Sequence, residues 1–417
     1  MSEEQLRLDD FEPVLEEHSS DEISPGYKKT GVLVIPQDWS TVFLGEKTVK
    51  VGSGITPTGG IRVYKESGRP FLRSQNIEWG YINLDDIAFI DEQTHQSFIG
   101  TEIRESDVLL NITGASIGRS AVADKRVEGG NVNQHVCIIR PQCSVLDSVF
   151  LKNFLLSELG QRQIDSFQAG GNRQGLNFNQ IRSFVIPLPK LSEQAAIAEV
   201  LTDVDNLIES LDNLISKKKA IKKSTMQQLL TGRTRLPGFK EEWNHTKLGE
   251  VLKVCHGRNQ RGIAKVDGRY PILASGGEIG RTDHSLHDGP SVLIGRKGTI
   301  DQPQFISSPF WTVDTLFYTS LSSYAFAKFI YYKFCLIPWK IYNEASGVPS
   351  LNAHTIEQIE ITIPSIEEQQ AISSILLDMD AEIEALERQR DKMKQIKQVM
   401  MQQLLTGRIR LLDKEAV

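Results

Sequence analysis

Several polar loops of this sequence carry side chains that can bond to the bases and phosphates of nucleic acid. Arg, Asn and Gln can make paired hydrogen bonds to guanine or adenine edges in the major groove. Ser, Thr, Lys and backbone amides beside glycine suit phosphate contacts. Each loop by itself is better explained by turn formation, and residues 111–119 fit a structural strand–turn–strand, but the set as a whole predicts nucleic-acid binding. The candidate residues are Arg73, Ser74, Gln75, Asn76, Arg119, Asn133, Gln134, Asn172, Arg173, Gln174, Arg258, Asn259, Arg261, Arg296, Lys297 and Thr299.

Motifs for covalent chemistry are absent from the sequence. Residues 289–298 have the wrong spacing for a phosphate-binding P-loop, and residues 52–54 lack the third glycine of a dinucleotide-binding loop. No Asn-Pro-Pro-Tyr-like tetrapeptide, nucleophile elbow or His-Glu-x-x-His motif occurs. The histidines between 245 and 287 have no ligand-like spacing. We therefore expect no catalysis, no bound cofactor and no metal in this chain alone.

The four cysteines and the overall composition indicate an ordinary intracellular globular protein. The chain is 40% apolar and 24% charged, which is typical of folded domains. The cysteines lack any Cys-x-x-Cys spacing, so we expect reduced, mostly buried thiols. No apolar run reaches the roughly 20 residues that cross a bilayer, and the first residues do not resemble a secretory signal. These features predict a cytoplasmic protein that does not bind membranes.

The net charge of −6 is concentrated at the N-terminus. Residues 1–25 contain nine acidic residues against one base, Arg7, which gives −8 and leaves +2 for residues 26–417. The body of the chain is thus near neutral, and local patches decide what it binds. Two interpretations of the acidic segment stay open. It is either a solubilising extension or a segment that docks on a basic partner surface.

The elements that would have to position the polar loops are visible as an internal duplication. Residues 189–236 and 364–411 share 25 identities in 48 positions at a constant offset of 175, without a gap. Self-similarity at a fixed offset is a strong indicator of architecture. With two copies, it indicates a duplicated half-molecule rather than a solenoid.

Both copies predict long helices. Apolar residues recur at intervals of three and four, from Ile197 to Ile215 in the first copy and from Ile372 to Leu404 in the second. This spacing is typical of coiled-coil packing. About 40 residues rising 1.5 Å each give rods of roughly 60 Å. We expect the two helices to pair antiparallel with each other, although pairing with another subunit stays an alternative.

A strand-rich region precedes each helical copy, so the sequence predicts an α+β fold. Each region opens with a tryptophan, Trp39 or Trp243, that is separated by four residues from a Leu-Gly-Glu run. Short β-branched runs separated by turn residues follow. Residues 50–145 and 254–320 show little mutual similarity. The predicted segments are 1–30 (acidic extension), 31–188 (first variable region), 189–236 (central helical region), 237–363 (second variable region) and 364–417 (distal helical region).

The repeated Pro-x3-Glu-Gln-x-Ala-Ile blocks, each ending in Met-Gln-Gln-Leu-Leu-Thr-Gly-Arg and preceded by a Trp-x4-Leu-Gly-Glu opening, resemble the specificity subunit of type I restriction-modification systems. The resemblance covers residues 36–411. It implies two mixed α/β target-recognition domains, joined by two long antiparallel coiled-coil helices in a pseudo-two-fold internal repeat. Each domain would recognise one half of a split, asymmetric DNA site. The acidic N-terminal extension departs from the family pattern.

The resemblance also implies partners. Double-stranded DNA, two modification methyltransferase subunits and restriction/translocase subunits would bind this chain. S-adenosylmethionine, ATP and Mg would belong to those partners, with no cofactor in this chain. The alternatives are a protein-binding scaffold, which would show no salt-dependent DNA binding, and a self-sufficient methyltransferase-endonuclease, which would bind S-adenosylmethionine by itself.

Overall fold

The computed structural model describes residue 23 and residues 25–31, 33–168 and 175–411. The chain forms two compact units. Residues 1–210 with 389–417 are called the first unit here, and residues 211–388 the second unit. This division passes through both long helices, so the predicted segment boundaries stay predictions.

The first unit is built around a four-stranded antiparallel sheet with the order β4-β10-β7-β8. A second sheet has the order β6-β5-β9, in which β5 and β9 are parallel. Strand pairs β1-β2 and β3-β11 complete it. The strands are β1 (Tyr27–Thr30), β2 (Leu33–Pro36), β3 (Ser40–Phe43), β4 (Thr48–Ser53), β5 (Arg69–Leu72), β6 (Ala88–Ile90), β7 (Val108–Asn111), β8 (Ser120–Val122), β9 (Asn131–Val132), β10 (Val136–Pro141) and β11 (Val185–Leu188). The helices are α1 (Glu92–Ser97), α2 (Ser148–Leu156), α3 (Glu158–Ser166), α4 (Phe178–Arg182) and α5 (Leu191–Leu229), which continues into the second unit.

The second unit contains a four-stranded antiparallel sheet with the order β13-β20-β17-β18. Beside it lies a sheet with the order β14-β16-β15-β19, in which β15 and β19 are parallel. The strands are β12 (Asn244–Lys247), β13 (Leu252–His256), β14 (Ala264–Lys265), β15 (Tyr270–Ala274), β16 (Gly277–Thr282), β17 (Ser291–Gly295), β18 (Gln304–Ile306), β19 (Trp311–Thr312), β20 (Leu316–Leu321) and β21 (Glu360–Ile363). The helices are α6 (Leu248–Val251), α7 (Ala327–Leu336), α8 (Ala353–Glu357) and α9 (Ile366–Leu404), which continues into the first unit.

The two units share one topology although the sequences of their sheets have diverged. The strands β4, β10, β7 and β8 correspond in order and direction to β13, β20, β17 and β18. The parallel pair β5-β9 likewise corresponds to β15-β19. Every residue of β7 and of β17 is buried, as is typical of strands covered on both faces. Any aliphatic residue of suitable size satisfies such a position, which explains how the sequences diverged while the sheet was kept.

The long helices α5 and α9 run antiparallel in each unit. In the first unit Arg410, just beyond α9, binds Glu193 near the start of α5, while Lys397 lies 2.6 Å from Asp205. In the second unit Lys218 pairs with Glu382 and Lys222 with Asp380. The predicted apolar seam, including Ile197, Leu201, Ile372 and Leu376, is buried. The predicted α+β class with two mixed domains and two paired long helices is therefore confirmed.

The sequence predicts a capping box at Ser365 and Glu368 and helix-closing glycines at Gly232 and Gly407, and the structure follows these signals with one exception. Gly232 and Gly407 adopt φ of +72° and +68° just after α5 and α9, the left-handed conformation that closes a helix. Ser365 accepts a hydrogen bond from the Glu368 backbone N–H at 3.5 Å. The reciprocal bond of the expected capping box is absent, because the Glu368 carboxylate binds Arg235 and Trp243 instead.

The expectation of mostly buried thiols was wrong. Cys137 is buried in β10, and burial raises its pKa to about 12. Cys143 and Cys335 are exposed and Cys255 is half-buried, since Cys143 lies in the turn after β10 and Cys255 alternates with buried neighbours on β13. No helix in the described parts of the chain has the length and apolar character needed to cross a membrane.

Candidate nucleic-acid interface

In the first unit, the predicted polar loops meet along one edge of the four-stranded sheet. Strands β4 and β7 end there, and β8 and β10 begin there. The loops at this edge (residues 54–56, 112–119 and 133–135) are called the first edge. Thr56 Oγ1 donates to Gln134 Oε1, Gln134 Nε2 lies 3.0 Å from His135 Nε2, and His135 Nδ1 lies 2.7 Å from Thr113 Oγ1. Thr56, Gln134, His135 and Thr113 thus form a continuous row of contacting polar side chains along this edge.

A glycine fixes where the first edge begins. The Gly54 N–H donates to Asn133 O at 3.1 Å, and a Cβ at Gly54 would lie 1.5 Å from Val132 O. Only glycine permits this approach of two backbones. The next residue, Ile55, is 49% exposed at the start of the loop.

The predicted loop 73–76 adjoins this edge but directs much of its bonding inward. Asn76 is buried, and its amide accepts from the Arg73 N–H and donates to Asn83 O and Asp86 O. The Arg73 guanidinium lies 3.2 Å from the Asp86 carboxylate, and Gln75 also donates to Asp86. Ser74 accepts at its carbonyl from Asn111. These side chains therefore form a turn, and their role in DNA binding stays a prediction.

The predicted Arg119 is held by a carboxylate. Its guanidinium lies 2.7 Å from Glu78 Oε2. Glu78 begins a tight turn in which Trp79 is 53% and Tyr81 61% exposed, and Gly80 N–H donates to Ser120 O at 3.0 Å. The sequence analysis missed the two exposed aromatic residues Trp79 and Tyr81. Their signal was a Trp-Gly-Tyr run inside a polar loop, where no core position needs two aromatic residues.

The second unit has the corresponding edge, formed by residues 257–261, 296–299 and 312–315 and called the second edge. A Cβ at Gly257 would lie 2.0 Å from Val313 O, the same close approach as at Gly54. Arg258 N–H donates to Thr312 O at 2.8 Å, and Trp311 Nε1 donates to Arg258 O at 2.8 Å. Both backbone groups of Arg258 are therefore fixed.

The predicted loop 296–299 lies beside Arg258 on the second edge. Arg296 N–H donates to Thr315 O at 2.8 Å, and its guanidinium donates to Asp314 O at 3.2 Å. Lys297 is exposed and Thr299 half-buried. The structure thus brings the two predicted loops of this unit, around Arg258 and around Lys297, together on one edge.

The remaining candidates divide by exposure. Gln134 is exposed, whereas Asn133 is buried and its side-chain oxygen accepts from the His135 N–H at 3.0 Å. Asn259 accepts from the Arg261 N–H at 2.9 Å and forms a turn in the second edge. Asn172, Arg173 and Gln174 lie outside the described residues.

The electrostatics of the two edges differ. Arg73 and Arg119 are each paired with a carboxylate. Within the described residues, no carboxylate lies at ion-pair distance from Arg258, Arg261 or Lys297, all of which are exposed. Unpaired cations beside backbone amides are the usual partners of phosphates and guanine edges. In the described ranges, no group of three or more His, Cys, Asp or Glu could hold a metal ion.

The repeated motifs form a different site in each unit, called a clasp. In the first clasp, Glu193 accepts from Trp39 Nε1 at 3.0 Å and is bound through both oxygens by Arg410. In the second clasp, Glu368 accepts from Trp243 Nε1 at 3.2 Å and is bound through both oxygens by Arg235.

The residue after each clasp glutamate has a matching role. Gln194 accepts from the Asp147 N–H, and Gln369 accepts from the Phe326 N–H. Each glutamine thereby ties the start of a long helix to the loop before α2 or α7. The Glu-Gln and Gly-x-x-Arg parts of the repeated blocks are therefore accounted for by contacts within the chain.

Comparisons with a family model and with individual proteins point to the same family. The family described as "Type I restriction modification DNA specificity domain" matches residues 36–219 and 240–395. The putative type I restriction enzyme MjaX specificity subunit of Methanocaldococcus jannaschii is 24% identical over 419 residues, covering 92% of this chain and 97% of that protein. The EcoKI specificity subunit of Escherichia coli K12 is 26% identical over 190 residues, covering 43% of this chain and 38% of that protein.

Solved structures share the fold. The crystal structure of a type I restriction-modification S subunit from M. genitalium has a TM-score of 0.60 at 15% identity, covering 91% of this chain and 98% of that one. A chain from a study of complex assembly and conformational transition of a type I system has a TM-score of 0.57 at 18% identity, covering 90% and 99%. At these identities the likeness concerns the fold alone.

Proposed function

The chain belongs to the family defined by the type I restriction-modification DNA specificity domain, and we propose that its two units each recognise one half of a bipartite, asymmetric DNA sequence. It is a specificity subunit, the non-catalytic DNA-recognition component of such a system. The observation that carries the proposal is that the same sheet edge occurs in both units with different side chains. Two identical edges would favour a palindromic site, whereas two different edges favour an asymmetric one.

We infer that the long helices set the spacer between the half-sites. Each helix has 39 residues, which corresponds to roughly 60 Å at 1.5 Å per residue. That length is commensurate with between one and two turns of B-DNA at about 34–36 Å per turn.

We further propose the partners of this chain. The names of its relatives imply assembly with modification and restriction subunits. We propose two methyltransferase subunits, one for each half of the duplicated scaffold, joined by restriction/translocase subunits. S-adenosylmethionine, ATP and Mg would be bound by those partners, because this sequence lacks the loops that hold them. A cytoplasmic location stays part of the proposal.

Methylome sequencing tests the recognition function. Cells that express this chain with its methyltransferase partner are compared with cells that express the partner alone. The expected result is a bipartite N6-methyladenine motif that appears only when this chain is present. An active, associated partner that methylates no new motif would contradict the proposal.

Exchange of one variable region tests whether the two units recognise their half-sites independently. Replacing residues 237–363 with the corresponding region of another family member is expected to change one half-site and to leave the other unchanged. A change in both half-sites would contradict independent recognition by the two units.

A further inference from the structure

Arg258 and Ile55 occupy corresponding positions on the two edges. Each follows a glycine, Gly257 or Gly54, whose missing Cβ lets the chain pass against the backbone of Val313 or Val132. Each glycine follows the strand at one side of the four-stranded sheet, β13 or β4. Since the same approach is made with isoleucine in the first unit, holding this backbone does not require an arginine. The backbone conformation therefore does not explain why the second unit has an arginine at position 258.

Like the backbone of its neighbour Arg296, the backbone of Arg258 is fixed by two hydrogen bonds. Its N–H donates to Thr312 O and its carbonyl accepts from Trp311 Nε1, both at 2.8 Å. Arg261 lies three residues further along an exposed loop, where its N–H is bound by the Asn259 side chain. A fixed Cα reduces the entropy lost when a long side chain binds in one orientation.

The guanidinium of Arg258 has no bonding partner among the described residues. Arg73 and Arg119 of the first unit are, by contrast, engaged by Asp86 and Glu78. A planar guanidinium can donate two parallel hydrogen bonds, and guanine O6 and N7 accept such a pair in the major groove. A phosphate contact tolerates many orientations, so it gains less from a fixed backbone.

We propose that Arg258 reads a guanine in the half-site recognised by the second unit, through paired hydrogen bonds to O6 and N7. This inference rests on the proposed function. It adds a base class and a residue: the second half-site contains a G·C pair whose guanine faces Arg258. Ile55 at the corresponding position of the first unit cannot donate a hydrogen bond from its side chain.

The experiment uses the full chain in complex with its methyltransferase partner. Binding is measured by competition, with duplexes in which each base pair of the second half-site is varied in turn. Arg258→Ala is expected to relax the preference at one G·C pair by about 5- to 150-fold and to leave the other pairs unchanged. Arg258→Lys is expected to relax the same pair, because an ammonium keeps the charge but lacks the paired geometry.

Arg261→Ala is the matched control, since Arg261 is also exposed and without a carboxylate partner. We expect Arg261 to contact a phosphate, so Arg261→Ala should weaken binding to all duplexes alike. The slope of the logarithm of the binding constant against the logarithm of the salt concentration should fall by about one. If Arg258→Ala behaves in this uniform way, Arg258 contacts a phosphate and the inference is overturned.

Different results would overturn this inference and the proposed function. A wild-type complex with a bipartite motif but no G·C pair in the second half-site overturns this inference alone. Assignment of that half-site follows from the exchange of residues 237–363. A wild-type complex that produces no bipartite motif overturns the proposed function and this inference with it.

Discussion

In the first unit Trp39 and Arg410 bind Glu193, and in the second unit Trp243 and Arg235 bind Glu368. The two clasps use the same residue types and nearly the same distances. The two edges share their topology and their glycine, yet present different side chains. The clasp residues, which bind each other, have thus stayed the same, whereas the exposed side chains of the edges have changed.

The difference between the edges comes from pairing rather than from total charge. Residues 31–188 contain 15 basic and 16 acidic residues, and residues 237–363 contain 13 and 12. The net charges of the two regions are therefore almost equal. Carboxylates hold Arg73 and Arg119, however, and none lies at ion-pair distance from Arg258 or Lys297 among the described residues. A net charge summed over a domain does not reveal such a contrast, whereas the placement of each carboxylate does.

Removing a clasp carboxylate should have the largest effect on stability. Glu368 is 2% exposed and binds both Arg235 and Trp243. Glu368→Ala leaves a partly buried guanidinium and an indole N–H without their partner, and it is expected to lower the free energy of unfolding by about 3 kcal/mol. Urea unfolding followed by circular dichroism measures the change, with the exposed neighbour Glu367→Ala as control.

The matching substitution in the other unit tests whether the clasps are equivalent. Glu193→Ala is expected to cost an amount within about 1 kcal/mol of Glu368→Ala, since both carboxylates have the same kinds of partner. A near-zero effect in one unit beside a large effect in the other would break the comparison.

A substitution at Lys333 on α7 should have a smaller effect on stability, and this effect should depend on pH. Lys333 on α7 corresponds to Phe154 on α2, because each lies seven residues after the backbone N–H that binds Gln369 or Gln194. Lys333 is buried beside the Trp243 ring at 5.4 Å, and burial lowers its pKa to about 8. Lys333→Met is expected to raise the free energy of unfolding at pH 7 by about 1–3 kcal/mol.

The sign of the pH dependence is fixed by that lowered pKa. Between about pH 8 and 10.5, the folded protein binds fewer protons at Lys333 than the unfolded chain, so wild-type stability rises with pH. The advantage of Lys333→Met should therefore shrink across this window. Exposed Lys253→Met serves as control, and an advantage that does not depend on pH would show that burial of the charge is not its cause.

The smallest effect concerns an additional ion pair of the first clasp. Arg410 also binds Asp38 at 2.8 and 2.9 Å. Its hydrogen bonds lower the pKa of Asp38. Because the Asp38 side chain is 57% exposed, Asp38→Asn is expected to cost less than about 1 kcal/mol at neutral pH. The cost should shrink as the pH falls below the ordinary carboxyl value of 3.8 and vanish below the lowered pKa of the folded protein, since a lowered pKa stabilises only the ionised form.

Differential scanning calorimetry at pH 7 and pH 3 measures this change. Glu242, which precedes Trp243 and is exposed, supplies the control variant Glu242→Gln. If Asp38→Asn lowers the free energy of unfolding more than Glu193→Ala does, the exposed pair of Arg410 and Asp38 provides most of the stability of the first clasp.

The helices could be predicted from the sequence because their periodicity and end signals agree. Proline at 189 and 364 stands two residues before α5 and α9, and a left-handed glycine follows each of them. The short β-branched runs that the sequence predicts before each helical copy include the strands β7, β10 and β17. The shared sheet topology could not be predicted, since buried strands of the two units need only aliphatic residues of suitable size and retain no recognisable identity.

The candidate site was only partly accessible to the same reasoning. Arg258 and Lys297 are among the predicted DNA-binding residues, and the structure brings their loops together on one edge. Asn76 has the same residue type as a base-reading side chain, but it is buried as a turn former. Sequence alone does not separate these uses, because asparagine satisfies turn backbones and adenine edges with the same two groups. Ile55 was missed since it is apolar, and its position became informative only beside Arg258.

The first clasp joins residues that are 217 positions apart in the chain. At about 5–20 residues per second on the ribosome, Arg410 is synthesised roughly 10–40 s after Glu193. During that interval residues 237–363 are synthesised, and Trp39 and Glu193 cannot yet bind Arg410. The second clasp, by contrast, has its arginine first and is completed as soon as Glu368 appears. Co-translational folding should therefore close the second clasp before the first.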